Sequence, residues 1–127
     1  MLYLLDTSVC VSLLRGRSNA DQLRDLECAV SVITAAELEV GVFRSARPIE
    51  QRRKVDLLLT DITILPLEIG VASFYGVVRA DLQRAGTPIG PLDMLIAAHA
   101  LSQAAKLITA NVGEFRRVKG LEVIAWP

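Results

Sequence analysis

Five short apolar runs, at residues 2–5, 28–32, 62–65, 107–109 and 121–124, are spread along the chain, most of them separated by a helix-length stretch. Runs this short, rich in Leu, Ile and Val and bounded by charge, Gly or Pro, read as buried strands rather than as helices. Strands joined through helices pair in parallel and are covered on both faces, whereas hairpins need tight two-residue turns. Helical patterns are expected at 7–14, 19–26, 35–44, 49–59, 68–84 and 92–103. Thr7 or Ser8 is placed to cap the first, and Thr34 the one carrying Glu37 three residues on. Arg47-Pro48 breaks the chain before 49–59, and Pro91 suits the first turn before Leu92. The expected class is α/β, with a mainly parallel central sheet of four to five strands.

A chain of 127 residues fits one domain, residues 1–127, that buries a core without a disulfide or a structural metal. Fourteen Lys and Arg balance fourteen Asp and Glu, so no global field points to nucleic acid and any basic surface must be local. The longest apolar stretch, 62–78, is interrupted by Pro66, Glu68 and Gly70, which argues against a transmembrane helix. The start lacks a basic segment and meets Asp6 too early for a signal peptide, so a cytoplasmic protein with no membrane partner is expected. Cys10 and Cys28 form no CxxC and only one His is present, which disfavours zinc and leaves two reduced thiols. A hydrophobic fraction of 52% suggests a face covered by another chain.

Sheets of this kind bind ligands at the carboxyl ends of their strands. Asp6 follows the first apolar run, and Asn111 and Glu114 follow the run ending at Thr109; Glu37 and Asp93 sit in early turns of helices. Brought together, these acids would repel one another and raise their own pKa values, and a divalent cation would reverse that shift. Oxygen donors suit Mg²⁺ or Mn²⁺, which activate water and polarise phosphoryl groups, so phosphodiester hydrolysis is the natural chemistry.

Each acid alone has a plainer explanation. Asp6 could cap a helix, Asp93 could answer a helix dipole, and Glu37 could close a capping box with Thr34. Glu39 points about 200° around the helix from Glu37, so one pocket receives only one of them, and Gly41 at i+4 leaves space on the Glu37 side. His99, six residues beyond Asp93, falls on another face and reads as a packed residue. Arg79, Arg84, Arg116, Arg117 and Lys119 read as solvated charges or as a nucleic-acid-contacting rim. Val71, Phe74, Val77, Val78 and Leu82 suit packing, against the core or across a dimer seam.

Five segments in order carry a likeness to a known family: Leu5-Asp6-Thr7-Ser8; Thr34-Ala35-Ala36-Glu37-Leu38 with Gly41; Pro88-Ile89-Gly90-Pro91-Leu92-Asp93; Ile96-Ala97-Ala98-His99-Ala100; and Thr109-Ala110-Asn111-Val112-Gly113-Glu114-Phe115, running on to Gly120-Leu121 and Trp126. Through them the chain resembles the PIN-domain ribonucleases, most closely the VapC-type toxins of bacterial toxin–antitoxin pairs. The resemblance implies a PIN-like three-layer α/β/α sandwich and a Mg²⁺- or Mn²⁺-dependent endoribonuclease that cuts tRNA or ribosomal RNA and arrests translation. It implies Asp6, Glu37, Asp93 and Glu114 as catalytic acids, with Asp6, Asp93 and Glu114 on the metal and Thr7, Ser8, Thr109 and Asn111 as supporting polar groups. Asn111 competes with Glu114 for the fourth place, because many relatives carry Asp at the Asn111 position. A homodimer, a cognate antitoxin inserting a basic segment into the site, and operator DNA reached only through that antitoxin are implied as partners. The competing reading is a catalytically weak binding module whose acidic pocket receives a basic peptide.

Overall fold

A computed structural model describes residues 1–127. Its elements run β1 (Leu2–Leu5), α1 (Thr7–Leu14), a 3₁₀ turn (Ala20–Leu23), β2 (Glu27–Ser31), α2 (Val32–Arg44), α3 (Pro48–Thr60), β3 (Thr63–Leu65), α4 (Val71–Ala85), α5 (Pro91–Ser102), β4 (Lys106–Thr109), α6 (Val112–Phe115) and β5 (Val123–Ala125). The five strands form one sheet in the order β3-β2-β1-β4-β5, every neighbouring pair parallel. The expected "mainly parallel" sheet is therefore parallel throughout, a consequence of every connection crossing a face of the sheet. Helices lie on both faces, the α/β/α sandwich that the resemblance implies.

Side chains on a strand alternate between faces, and the two halves of the core follow that period. Leu4, Ala29 and Leu107 pack with Val78 and Leu82 of α4, Ile96 and Ala97 of α5, and Phe115. Their neighbours Leu5, Val30 and Ile108 face the other way, onto Val9 and Cys10 of α1, Leu38 and Val42 of α2, and Val55 of α3. A one-residue slip in any inner strand would exchange these sets, so the register is fixed by burial. Cys10 is buried and unpaired, its thiol pushed up to about 12 by burial and by the charge of Asp6, and Cys28 is also free. No helix is long and apolar enough to cross a membrane.

Several boundaries move from their expected places. Asp6, not Thr7 or Ser8, caps α1, accepting from Val9 N–H. The helix expected at 19–26 is a single 3₁₀ turn capped by Asn19. Ser31 ends β2 and caps α2 through Ile33 N–H, so α2 begins at Val32 and Thr34 lies buried inside it. The Thr34–Glu37 capping box does not form, because Glu37 turns to a partner on α1. Gly86, at φ 68°, ends α4 in the left-handed conformation that a helix C-terminus favours. The expected helix 68–84 starts three residues later, at Val71, and α6 was given no helix by the sequence pattern.

Candidate active site

From central β1 the chain steps outward through β2 to β3, then returns to the opposite side of β1 with β4. The order reverses at the β1–β4 seam, and the crevice beyond the carboxyl ends at such a reversal is where ligands bind. Leu5 is in register with Ile108 across that seam. The residue after each, Asp6 and Thr109, therefore meet at its mouth.

Asp6 is 2% exposed, and a carboxylate so buried needs compensation. Ser8 Oγ donates to Oδ1 at 2.6 Å, Val9 N–H donates to the same oxygen at 3.1 Å, and the Thr109 hydroxyl donates to Oδ2. The two hydroxyls are themselves held by the turn after β4: Ala110 N–H donates to Ser8 Oγ at 3.1 Å and Asn111 N–H to Thr109 Oγ1 at 2.9 Å. A carboxylate offers about four lone-pair positions. Three are filled by these bonds and the Ser8 N–H also favours the ionised form, so Asp6 is engaged through both oxygens. Burial still wins over these hydrogen bonds and holds its pKa above the usual value.

Glu37 approaches from the second turn of α2, where Thr7 Oγ1 donates to its Oε1 at 2.6 Å. Thr7 in turn meets buried Thr34 Oγ1 at 3.1 Å, which holds the start of α1 against α2. Glu39 leaves the site on another face of α2 and takes Arg52 Nη1 at 2.9 Å. Gly41 borders the cleft on the Glu37 side.

Asp93, in the first turn of α5, is the electrostatic centre of the group. Its pKa is pushed up to about 6, first by burial, then by a hydrogen bond with Glu114, then by the charges of Glu114, Glu37 and Asp6. The structure thus brings all four acids within reach of one another, and none of them has an ion-pair partner. Asp6, Thr7, Ser8, Glu37, Asp93 and Asn111 line a hollow of about 490 Å³. Glu114 reaches Asp93 from α6, outside that wall, whereas Asn111 is exposed at the rim.

Other candidates lie elsewhere. Arg117 and Lys119 border a second hollow beside α4, and Arg117 Nη1 donates to Pro88 O at 3.1 Å. His99 is fully buried, with Nδ1 2.7 Å from Ser31 Oγ. Arg15 and Arg17, just beyond the helical pattern expected at 7–14, stand in the wall of the acidic hollow. Their one sequence signal is their distance from Asp6, a single short helix.

No three acidic, His or Cys side chains surround one point as a finished cation cage. The donors are nonetheless all hard oxygens carrying uncompensated negative charge. That set suits Mg²⁺, which keeps several waters and commonly takes one or two carboxylates along with substrate phosphate.

Residues 3–121 match the PIN domain family. Over 99% of its length the chain is 33% identical to ribonuclease VapC2 of Rickettsia felis, covering 98% of that protein. It is 30% identical to the tRNA(fMet)-specific endonuclease VapC of Shigella flexneri, over 98% of this chain and 97% of that one. Among solved structures, VapBC2 of Rickettsia felis bound to a DNA fragment from its promoter superimposes with a TM-score of 0.94 at 32% identity, covering the whole of both chains.

Proposed function

The chain belongs to the PIN domain family, and on that premise we propose that it is an endoribonuclease toxin restrained by a cognate antitoxin. Relatives named as VapC ribonucleases and a tRNA endonuclease, alike over nearly their full lengths, support the activity. The VapBC complexes whose fold it shares support the partner. The observation that carries the catalytic reading is the convergence of Asp6, Glu37 and Glu114 on Asp93 beyond the carboxyl ends of the strands, which together with burial raises Asp93 to about 6.

In this reading Asp6, Asp93 and Glu114 would hold Mg²⁺, with Mn²⁺ as the alternative. Such an ion, when bound, polarises a phosphoryl oxygen and acidifies a water. Asp6 is kept from rotating by Ser8, Val9 and Thr109. Glu37 is fixed by Thr7 through one oxygen, leaving the other to orient the attacking water. Asn111 at the rim would meet the RNA, while Thr109 and Ser8 act by holding Asp6. The substrate is RNA, with tRNA the first class to try. The protein is expected in the cytoplasm, and operator DNA would be met only through the antitoxin. Homodimerisation is supported by the outer face of α4, where Val77 is 62% exposed beside Phe74 and where Asp81, Arg117 and Lys119 give the rim both signs of charge.

The test is cleavage of bulk bacterial tRNA by the purified chain with Mg²⁺, Mn²⁺ or EDTA, using wild type, Asp6→Ala and Asp93→Ala. Cleavage that needs the ion and disappears in both variants is expected. Cleavage persisting in both would overturn the site, and intact RNA with wild type would leave the peptide-binding module as the better reading.

A further inference from the structure

The acidic hollow continues into a neighbour. A second hollow of about 370 Å³ shares Val11, Arg15 and Glu37 with the first and extends between α1, α2 and α3 to Arg44 and Lys54. The joined trough therefore begins at Asp6, Glu37 and Asp93, passes Arg17 and Arg15, and leads away to Arg44 and Lys54. Arg15, Arg17 and Arg44 form no ion pair, and Lys54 has only a long contact to Glu50 at 3.9 Å. Four cations beside a cluster of unpaired carboxylates, yet bonded to none of them, are placed for a ligand that spans both charges. Between them the floor is Val11, Leu14, Leu38 and Gly41, and no aromatic side chain lines either hollow.

We propose that this trough is a track for the RNA sugar–phosphate backbone, with Arg15, Arg17, Arg44 and Lys54 holding phosphates leading away from the bond cut at the acidic centre. The assignment rests on the ribonuclease reading and deepens it. The cations offset the repulsion that the carboxylates alone would exert on a polyanion, and its phosphate oxygens give these unpaired cations acceptors. Contacts to phosphates position a strand without carrying sequence information, and no aromatic platform for base stacking lines the trough. The trough also separates these cations from Arg79 and Arg84 on α4, which lie outside both hollows.

The experiment measures RNA binding by Asp93→Asn protein, which leaves the RNA whole, alone and combined with Arg15→Gln, Arg44→Gln or Lys54→Gln. The probes are bulk tRNA and an unrelated single-stranded RNA oligonucleotide, each titrated at several salt concentrations. Each cleft substitution is expected to weaken both probes by the same factor, about three- to tenfold at low salt, and to reduce the salt slope by about one. Arg79→Gln and Arg84→Gln serve as controls with the same charge change and are expected to bind as the parent does. Equal losses in cleft and control variants, or unchanged binding in the cleft variants, would overturn the track. So would unchanged RNA affinity with loss of a chain co-expressed from the flanking reading frame, which would give the trough to a protein. In the Asp93→Ala test described above, wild type failing to cut RNA would reject the ribonuclease reading separately, because binding here is read without cleavage. Melting curves for every variant show that the fold is retained.

Discussion

Asp93 is half-buried and its pKa is raised to about 6 by burial, Glu114, Glu37 and Asp6, so at neutral pH the metal-free fold bears the repulsion of its own site. A carboxylate raised in the fold costs stability in full above its folded value, and the cost disappears as pH falls toward its unfolded value near 4. Asp93→Asn is therefore expected to raise the melting temperature in EDTA at pH 7.5 by about 3 °C, roughly 1 kcal/mol after allowing for solvent screening. Its advantage over wild type closes by pH 4, and Mg²⁺ or Mn²⁺ stabilises wild type but not the variant; melts across pH with and without metal check this. Asp6 is also raised by burial, but its hydrogen bonds are native contacts as well as site geometry. Thr109→Val leaves Oδ2 of a buried carboxylate without its donor and should cost about 1.5–3 kcal/mol. A double-mutant cycle with Asp6→Asn, by chemical denaturation, should recover most of that as coupling. The sequence made Asp6 visible as a charge after an apolar strand and left cap and ligand as rivals. The structure shows Asp6 both capping α1 and standing in the wall of the acidic hollow.

At the scale of elements, strands and long helices were legible because burial on two faces writes itself as short apolar runs, and helical faces as spaced ones. Helix starts were less so. Thr34-Ala35-Ala36-Glu37 has the letters of a capping box, but Glu37 finds Thr7 thirty residues away and the helix begins three residues before Ala35. A local rule cannot see a partner brought by the sheet. The cap that does form, Ser31, is tied to α5 by His99, so the helices bearing Glu37 and Asp93 share one buried hydrogen bond. Burial lowers the His99 pKa, so His99 is kept neutral in the fold. A histidine lowered in this way contributes stability fully above its ordinary value near 6.5 and loses it as pH falls through the folded value. His99→Gln should flatten that acid loss, while Ser31→Ala should cost about 1–2 kcal/mol at any pH. Urea titrations between pH 5 and 8 distinguish the two effects.

For the whole molecule, the sheet order decides which chain ends meet, and nothing in the sequence states that β1 lies between β2 and β4. The grouping of the acids was legible only through the assumption of a wound parallel sheet and the family likeness. The basic residues were not: Arg79, Arg117 and Lys119 drew notice from sequence, whereas Arg15 and Arg17 are the ones the winding brings to the acids. The outer face of α4 keeps Phe74 40% and Val77 62% exposed while Val78 and Leu82 are buried. For the homodimer proposed above, Val77→Glu is expected to shift sedimentation equilibrium toward the monomer with the melting temperature nearly unchanged, since the residue is exposed in the single chain. The triple engagement of Asp6 also has a genetic consequence. A cell that survives expression of an unrestrained toxin must inactivate it, and changes at Asp6 disarm the site only by loosening the β1–β4 seam as well. Survivors that still accumulate full amounts of the chain should therefore carry changes at Asp93 or Glu37, and those altered at Asp6 should be depleted of it. Inactive but abundant copies would go on sequestering antitoxin, so decay of this gene has two routes with different effects on any active copy beside it.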